Sequence, residues 1–137
     1  MALFTQPVYI NLPTTDVERI RAFWTAIGAA VDEEFSDEDA VCVELTESTH
    51  ALYLSPGNYT DYIGDREIAD CVTTNAVLLQ LTAPDRASVD ELVARAVDAG
   101  GAEVPLPADL EQDMAASGVY TRQMTDPDGH QWEFMAA

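Results

Sequence analysis

One pattern occurs twice along this chain and restricts its fold more than any other feature: a strand, a helix, then three strands. The first copy starts with "PVYINLP", Pro7 to Pro13, a short strand. In "TTDVERIRAFWTAIGA" the residues Val17, Ile20, Phe23, Trp24 and Ile27 fall on one helical stripe. Thr15 or Asp16 can accept the free backbone N–H groups at the start of that helix, and Gly28 stands where a helix commonly stops. Three strands are predicted next: about Ala29 to Phe35, then "AVCVELT" (Ala40 to Thr46), then "HALYLS" (His50 to Ser55). The acidic run "DEEFSDED" between the first two reads as a solvated hairpin tip.

Pro56 to Asn75 shows no strong period and reads as a long connection, with Tyr59, Tyr62 and Ile63 able to pack over a pocket or to hold the loop down. The second copy follows. "AVLLQLTA", Ala76 to Ala83, is a buried-looking strand. "DRASVDELVARAVDAGG" is a helix with Val89, Leu92, Val93 and Ala96 inward. A short strand "AEVPLP" and a loop "ADLEQDMAAS" lead to "GVYTRQMT" and "HQWEFMA", a hairpin around the turn Asp126-Pro127-Asp128-Gly129. The helices begin near Asp16 and Asp85, about half a chain apart, so two similar units are expected within one domain spanning 1–137: module one about 5–56, a connection 57–75, module two about 76–137.

Composition narrows the partners. With six arginines, no lysine and 25 acids, the chain has a formal net charge of −19. Nucleic acid and anionic membranes carry the wrong sign; the charge reads either as a solvated, self-repelling surface or as an attraction for a cationic ligand. No apolar run reaches the length of a membrane span, and "MALFTQPVYINLP" lacks the basic start and apolar stretch of a secretory leader, so the expected location is the cytoplasm. Cys42 and Cys71 lack the short spacing of zinc or redox motifs and are expected as reduced thiols.

The stretches "INLPTTDVERIRAFWTAIGA", "SVDELVARAVDAGG" and "YTRQMTDPDGHQWEF" together resemble the vicinal oxygen chelate superfamily, which includes glyoxalase I, bleomycin-resistance proteins, fosfomycin-resistance enzymes and extradiol dioxygenases. The resemblance covers nearly the whole chain. It implies an α+β fold of two βαβββ modules whose curved sheets form a cup-shaped half-barrel, and it implies a homodimer. In metal-using members the ligands are His, Glu or Gln at four positions, in the first and last strands of each module, and the metal acts as a Lewis acid on chelating substrate oxygens. Carried onto this chain, the last-strand position of module two is Glu133. Its counterpart in module one, from matching "THALYLS" to "GHQWEFM", is Tyr53. The first-strand positions are Tyr9 and either Val77 or Leu78. Only Glu133 can be a ligand, so a divalent metal is disfavoured and no cofactor is expected.

Strand alternation puts Gln131, Glu133 and Met135 on one face. On the neighbouring strand the resemblance to fosfomycin-resistance members implies that the Thr121/Gln123 face, rather than Tyr120/Arg122, lines the cavity. Tyr9, Asn11 and Tyr53 are expected to line the opposite wall, giving phenols and amides suited to a small aromatic or polyfunctional molecule. Glu133 itself has three readings: a ligand contact, a general base, or a relic paired with Arg122 or a tyrosine. His50 and His130 each precede a strand centre (Tyr53 and Glu133) by three residues, so both are expected to point away from the cavity, as surface or turn residues. Trp24 and Trp132 are expected in the core. Two functions fit: a glyoxalase-like protein binding a small molecule with an unidentified reaction, or a non-catalytic bleomycin-resistance-type protein that sequesters a cationic drug or metabolite.

Overall fold

In the computed structural model all 137 residues are described, and the chain divides into two compact units, Met1–Ala69 and Asp70–Ala137. The boundary falls inside the connection expected from the sequence. Each unit is a βαβββ module built on a four-stranded mixed sheet.

Unit 1 contains β1 (Val8–Pro13), α1 (Val17–Ile27), β2 (Ala30–Asp32), β3 (Ala40–Thr46), β4 (Thr49–Leu54) and α2 (Pro56–Ile63). Its strand order is β1-β4-β3-β2, with β1 parallel to β4 and the other pairs antiparallel. The Asp16 carboxylate caps α1 by accepting the Arg19 N–H at 3.0 Å. Gly28 ends the helix in a left-handed conformation, φ 110°. Val17, Ile20, Phe23, Trp24 and Ile27 are all buried against the sheet, as their spacing predicts. Their partners are the sheet residues on that side, Val41, Val43, Ala51 and Tyr53. Burial of each large apolar side chain there contributes about 1.5–3 kcal/mol.

Unit 2 contains β5 (Leu78–Thr82), α3 (Arg86–Asp98), β6 (Ala102–Val104), α4 (Ala108–Ala116), β7 (Tyr120–Thr125) and β8 (Gln131–Ala136). Its order, β5-β8-β7-β6, repeats that of unit 1. Asp85 caps α3 by accepting the Ser88 N–H at 2.8 Å. Val89, Val93 and Ala96 are buried, while Leu92 is only partly so. Met124, Trp132 and Phe134 complete this core from the sheet side.

The strand expected to be buried over 76–83 is β5, and it is exposed at alternate residues, Leu78 among them; three further segments depart from the sequence reading. The strand expected over 29–35 ends at Asp32, where a single 3-10 turn, Glu33–Phe35, takes over. The Asp32 carboxylate accepts the Glu34 N–H at 3.1 Å and the Ser36 hydroxyl donates to the Asp32 carbonyl at 2.6 Å, which bends the chain out of the sheet. The connection and the loop before β7 each contain a helix, α2 and α4. Neither helix has a buried residue, so neither carries the apolar stripe by which helices are read.

No helix is long and apolar enough to cross a membrane.

Candidate functional site

Residues of the Asp-Pro-Asp-Gly turn set the strand that carries Glu133. Asp126 is buried, and its carboxylate accepts the N–H groups of Asp128 (3.0 Å) and His130 (3.1 Å) and the indole N–H of Trp132 (3.2 Å). Gly129 has φ 93°, and a Cβ there would lie 2.5 Å from the Cys71 carbonyl oxygen. Glycine is therefore required both by the backbone and by the segment packed on it. With the turn fixed, alternation along β8 sends Trp132, Phe134 and Ala136 into the core under α3 and Gln131, Glu133 and Met135 to the opposite, open face.

Cross-strand register extends that open face. Glu133 lies between Gln80 of β5 and Gln123 of β7. Thr121 and Thr125 of β7 share the face. Thr121 is 5% exposed, and its hydroxyl donates to Glu133 Oε1 at 2.8 Å, with the Phe134 carbonyl at 3.2 Å as the competing acceptor. Asn75 donates to the Gln131 amide oxygen at 2.8 Å, and the Gln131 amide donates on to Gln123. Glu133 thus sits in a row of amides with one oxygen held by a hydroxyl. It makes no ion pair and its second oxygen has no hydrogen-bond partner.

Arg122 is not available to Glu133. It projects to the α3 side, where it forms a bidentate pair with Glu103 (2.7 and 2.9 Å) and reaches Asp90 at 3.0 Å. The Arg122 hydrogen bonds hold the Glu103 carboxyl below the usual carboxylate range. Asp90 is lowered by the Tyr120 hydroxyl first and by Arg122 second, and the same contact raises the Tyr120 phenol. The relic pairing of Glu133 with Arg122 is therefore absent.

In unit 1 the counterparts follow from matching hydrogen bonds. The Thr14 N–H donates to the Leu54 carbonyl at 2.9 Å, and the Ala83 N–H donates to the Met135 carbonyl at 2.7 Å, each two residues before a helix cap. Leu54 thus corresponds to Met135, Tyr53 to Phe134 and Leu52 to Glu133. By the same register Tyr9 corresponds to Leu78 and Asn11 to Gln80.

This places Tyr53 on the wrong side for a cavity-lining role. It is 0% exposed, in the core under α1, and its hydroxyl accepts the Trp24 indole N–H at 3.0 Å. The match of "THALYLS" to "GHQWEFM" is off by one residue, and in a strand one residue reverses the face. The same shift corrects His50. It shares the open face with Tyr9, its ring stacking on the Tyr9 ring at 4.9 Å, and it is 8% exposed rather than a surface residue. Its Nδ1 is buried without a hydrogen-bond partner. His130 is also buried. Phe35, from the 3-10 turn, reaches Tyr9 at 6.0 Å between ring centroids. Cys42 lies on this face too, flanked in register by Asp32 and Leu52, and is fully buried. Burial, then Asp32 and Glu44, push its thiol up to about 11.

With this geometry the residues 6–134 match the sequence profile of the Glyoxalase/Bleomycin resistance protein/Dioxygenase superfamily. The chain belongs to that superfamily. No curated protein matches it in sequence. Among solved structures, a hypothetical protein from S. aureus superposes with a TM-score of 0.77 at 22% identity, over 98% of this chain and 95% of that one. A glyoxalase-related enzyme from Fulvimarina pelagi gives 0.74 at 21% identity, over 98% and 89%. A fosfomycin resistance protein from Listeria monocytogenes gives 0.65 at 16% identity, over 98% and 93%. At these identities the likeness is one of fold.

The superfamily's metal positions do not carry a ligand set here. Unit 1 offers Tyr9 and Leu52. Unit 2 offers Leu78 and Glu133. No three His, Cys, Asp or Glu side chains gather where they can hold a metal ion. A divalent cation needs several oxygen or nitrogen donors, and one carboxylate does not fit that demand.

Proposed function

We propose that this superfamily member binds a small molecule through the open face of unit 2, with Glu133 receiving a cationic or amine group. The observation that carries the reading is the state of that carboxylate: Oε1 is oriented by Thr121 while Oε2 is unpartnered and no basic side chain pairs with it. An oriented, uncompensated carboxylate among amides is complementary to a donor cation. Gln123 and Gln80 on either side supply hydrogen bonds that select a polyfunctional ligand. Tyr9 and Asn11 are read separately, as aromatic and amide ligand contacts on their own face of unit 1. The net charge of −19 raises the local concentration of such a ligand and speeds capture. A homodimer is part of this reading and rests on the family resemblance; sedimentation at two protein concentrations tests it.

The bleomycin-resistance type of function, sequestration without chemistry, suits this arrangement best, because it needs a fixed carboxylate and no metal. A second reading, general-base chemistry by Oε2, is favoured by the same free oxygen. Thermal melts against a panel of amine-bearing small molecules, wild type beside Glu133→Gln, test the proposal. A true ligand at a hundredfold its Kd stabilises by about 2.7 kcal/mol, which is roughly 5–15 °C for a chain of this size. The shift is expected to fall with salt and to vanish in Glu133→Gln. Cationic ligands that shift both proteins equally contradict the assignment. Turnover of a stabilising ligand by wild type and not by the variant selects the second reading.

A further inference from the structure

Unit 2 also contains two adjoining cavities beside α4, and Glu133 lines neither. The larger, about 230 Å³, holds Arg122 and Glu103, which pair with each other, and it shares Glu111 with the smaller. The smaller, about 170 Å³, differs in kind. Arg86 stands on one part of its wall, over the Tyr120 ring at 5.0 Å, and Glu111 of α4 on another. Neither Arg86 nor Glu111 is in an ion pair, so the two opposite charges line one cavity without meeting. Leu106, Met114 and Val119 supply an apolar part of the lining.

We propose that this cavity is a binding site for a small zwitterion of the amino-acid class, its ammonium on Glu111, its carboxylate on Arg86 and its apolar side chain against Leu106, Met114 and Val119. The chemistry follows from what each group lacks. Arg86 offers a planar fork of donors that matches a carboxylate. Glu111 offers an acceptor for an ammonium. A molecule carrying only one charge satisfies one wall and leaves the other as it was. The volume equals about six water molecules, which is the bulk of a compact amino acid. The zwitterion also bridges elements that are otherwise loosely joined. Arg86 opens α3, Glu111 belongs to α4, and α4 has no buried residue of its own. Binding therefore clamps α4 onto the unit. The site lies beyond the Glu133 reading; the two share only Thr121, which lines the cavity and donates to Glu133.

L-leucine is the probe, with 3-methylbutylamine and 4-methylpentanoate as single-charge controls of the same shape. NMR titration of the full chain gives the affinities, and amide hydrogen exchange reads residues 108–116. L-leucine is expected to bind, to slow exchange in α4, and to bind at least about tenfold more tightly than either control. Glu111→Gln and Arg86→Gln, both at exposed positions, are each expected to weaken leucine about tenfold or more, while Glu133→Gln leaves it unchanged. No binding of leucine overturns the proposal. So does equal binding of the amine or the acid. Leucine binding that is lost in Glu133→Gln but retained in Glu111→Gln moves the probe to the open face, which refutes this site and leaves the Glu133 reading standing.

Discussion

Position for position, the open face of unit 1 carries Tyr9, Asn11, Leu52, Leu54 and Cys42 where unit 2 carries Leu78, Gln80, Glu133, Met135 and Gln123. The helix-side faces match in kind: Tyr53 and Phe134 occupy equivalent core positions, and both helices are capped by an aspartate. On the open faces the units diverge. In unit 1 an aromatic group of Tyr9, His50 and Phe35 and the buried Cys42 occupy the face. In unit 2 the face keeps a carboxylate among amides. The scaffold is conserved by what faces the helix. The chemistry is decided by the other half of each strand, where alternation leaves the side chains free to differ.

The largest expected effect tests the equivalence of the two cores. Tyr53→Ala and Phe134→Ala each remove a buried aromatic ring and are expected to cost about 3–5 kcal/mol in urea unfolding. A cost below about 1 kcal/mol for Tyr53→Ala puts that ring outside the core and breaks the comparison. Next, exchanging the divergent pair sharpens it. Leu52→Glu brings a charge onto the packed face beside Leu54 and is expected to destabilise by about 2 kcal/mol or more. Glu133→Leu is expected to leave stability within about 1 kcal/mol of wild type while removing ligand binding. Smaller again is Thr121→Val, which takes away the hydroxyl that orients Glu133. About 1 kcal/mol of stability is expected to go, with a loss of ligand affinity smaller than that of Glu133→Gln.

Thiol labelling examines the packing of the unit 1 face. With its thiol at about 11, Cys42 is thiolate only to about one part in a thousand at pH 8, and it is fully buried. Native protein is expected to resist iodoacetamide at Cys42 until it unfolds, as read by peptide mass. Rapid native alkylation there means that Cys42 is reached by reagent in the folded chain and is not packed. The smallest effect concerns a cap. Hydrogen bonds from Ser88 lower the Asp85 carboxyl in the folded chain below its unfolded value of about 3.9. Its stabilisation is therefore present above about pH 3.9 and is lost as pH falls through the folded value. The melting-point gap between wild type and Asp85→Ala should narrow from pH 6 to pH 2.5. A gap that widens reverses the sign of this contribution.

Much of the scaffold is legible in the sequence because periodicity reports burial. The α1 stripe, the α3 stripe and the β7–β8 hairpin around Asp126 to Gly129 all show it. Helices α2 and α4 are illegible for the same reason, since nothing in them is buried. The open face of unit 2 could be read from β8, where large apolar residues alternate with polar ones. Its counterpart could not. In "HALYLS" the apolar residues fill both faces, and whether Leu52 or Tyr53 faces α1 is decided by a long-range contact with Trp24. The cavity beside α4 depends on Arg86, Glu111 and Tyr120 coming together from three elements, which no local pattern announces.

The central claim is that Glu133 is a free carboxylate for a ligand and not the remnant of a working metal site. The most direct test is elemental mass spectrometry on untagged protein, wild type beside Glu133→Ala, after exposure to nickel, zinc, manganese and iron. The account predicts no stoichiometric metal in either protein. One equivalent of a divalent metal in wild type that disappears in Glu133→Ala contradicts it.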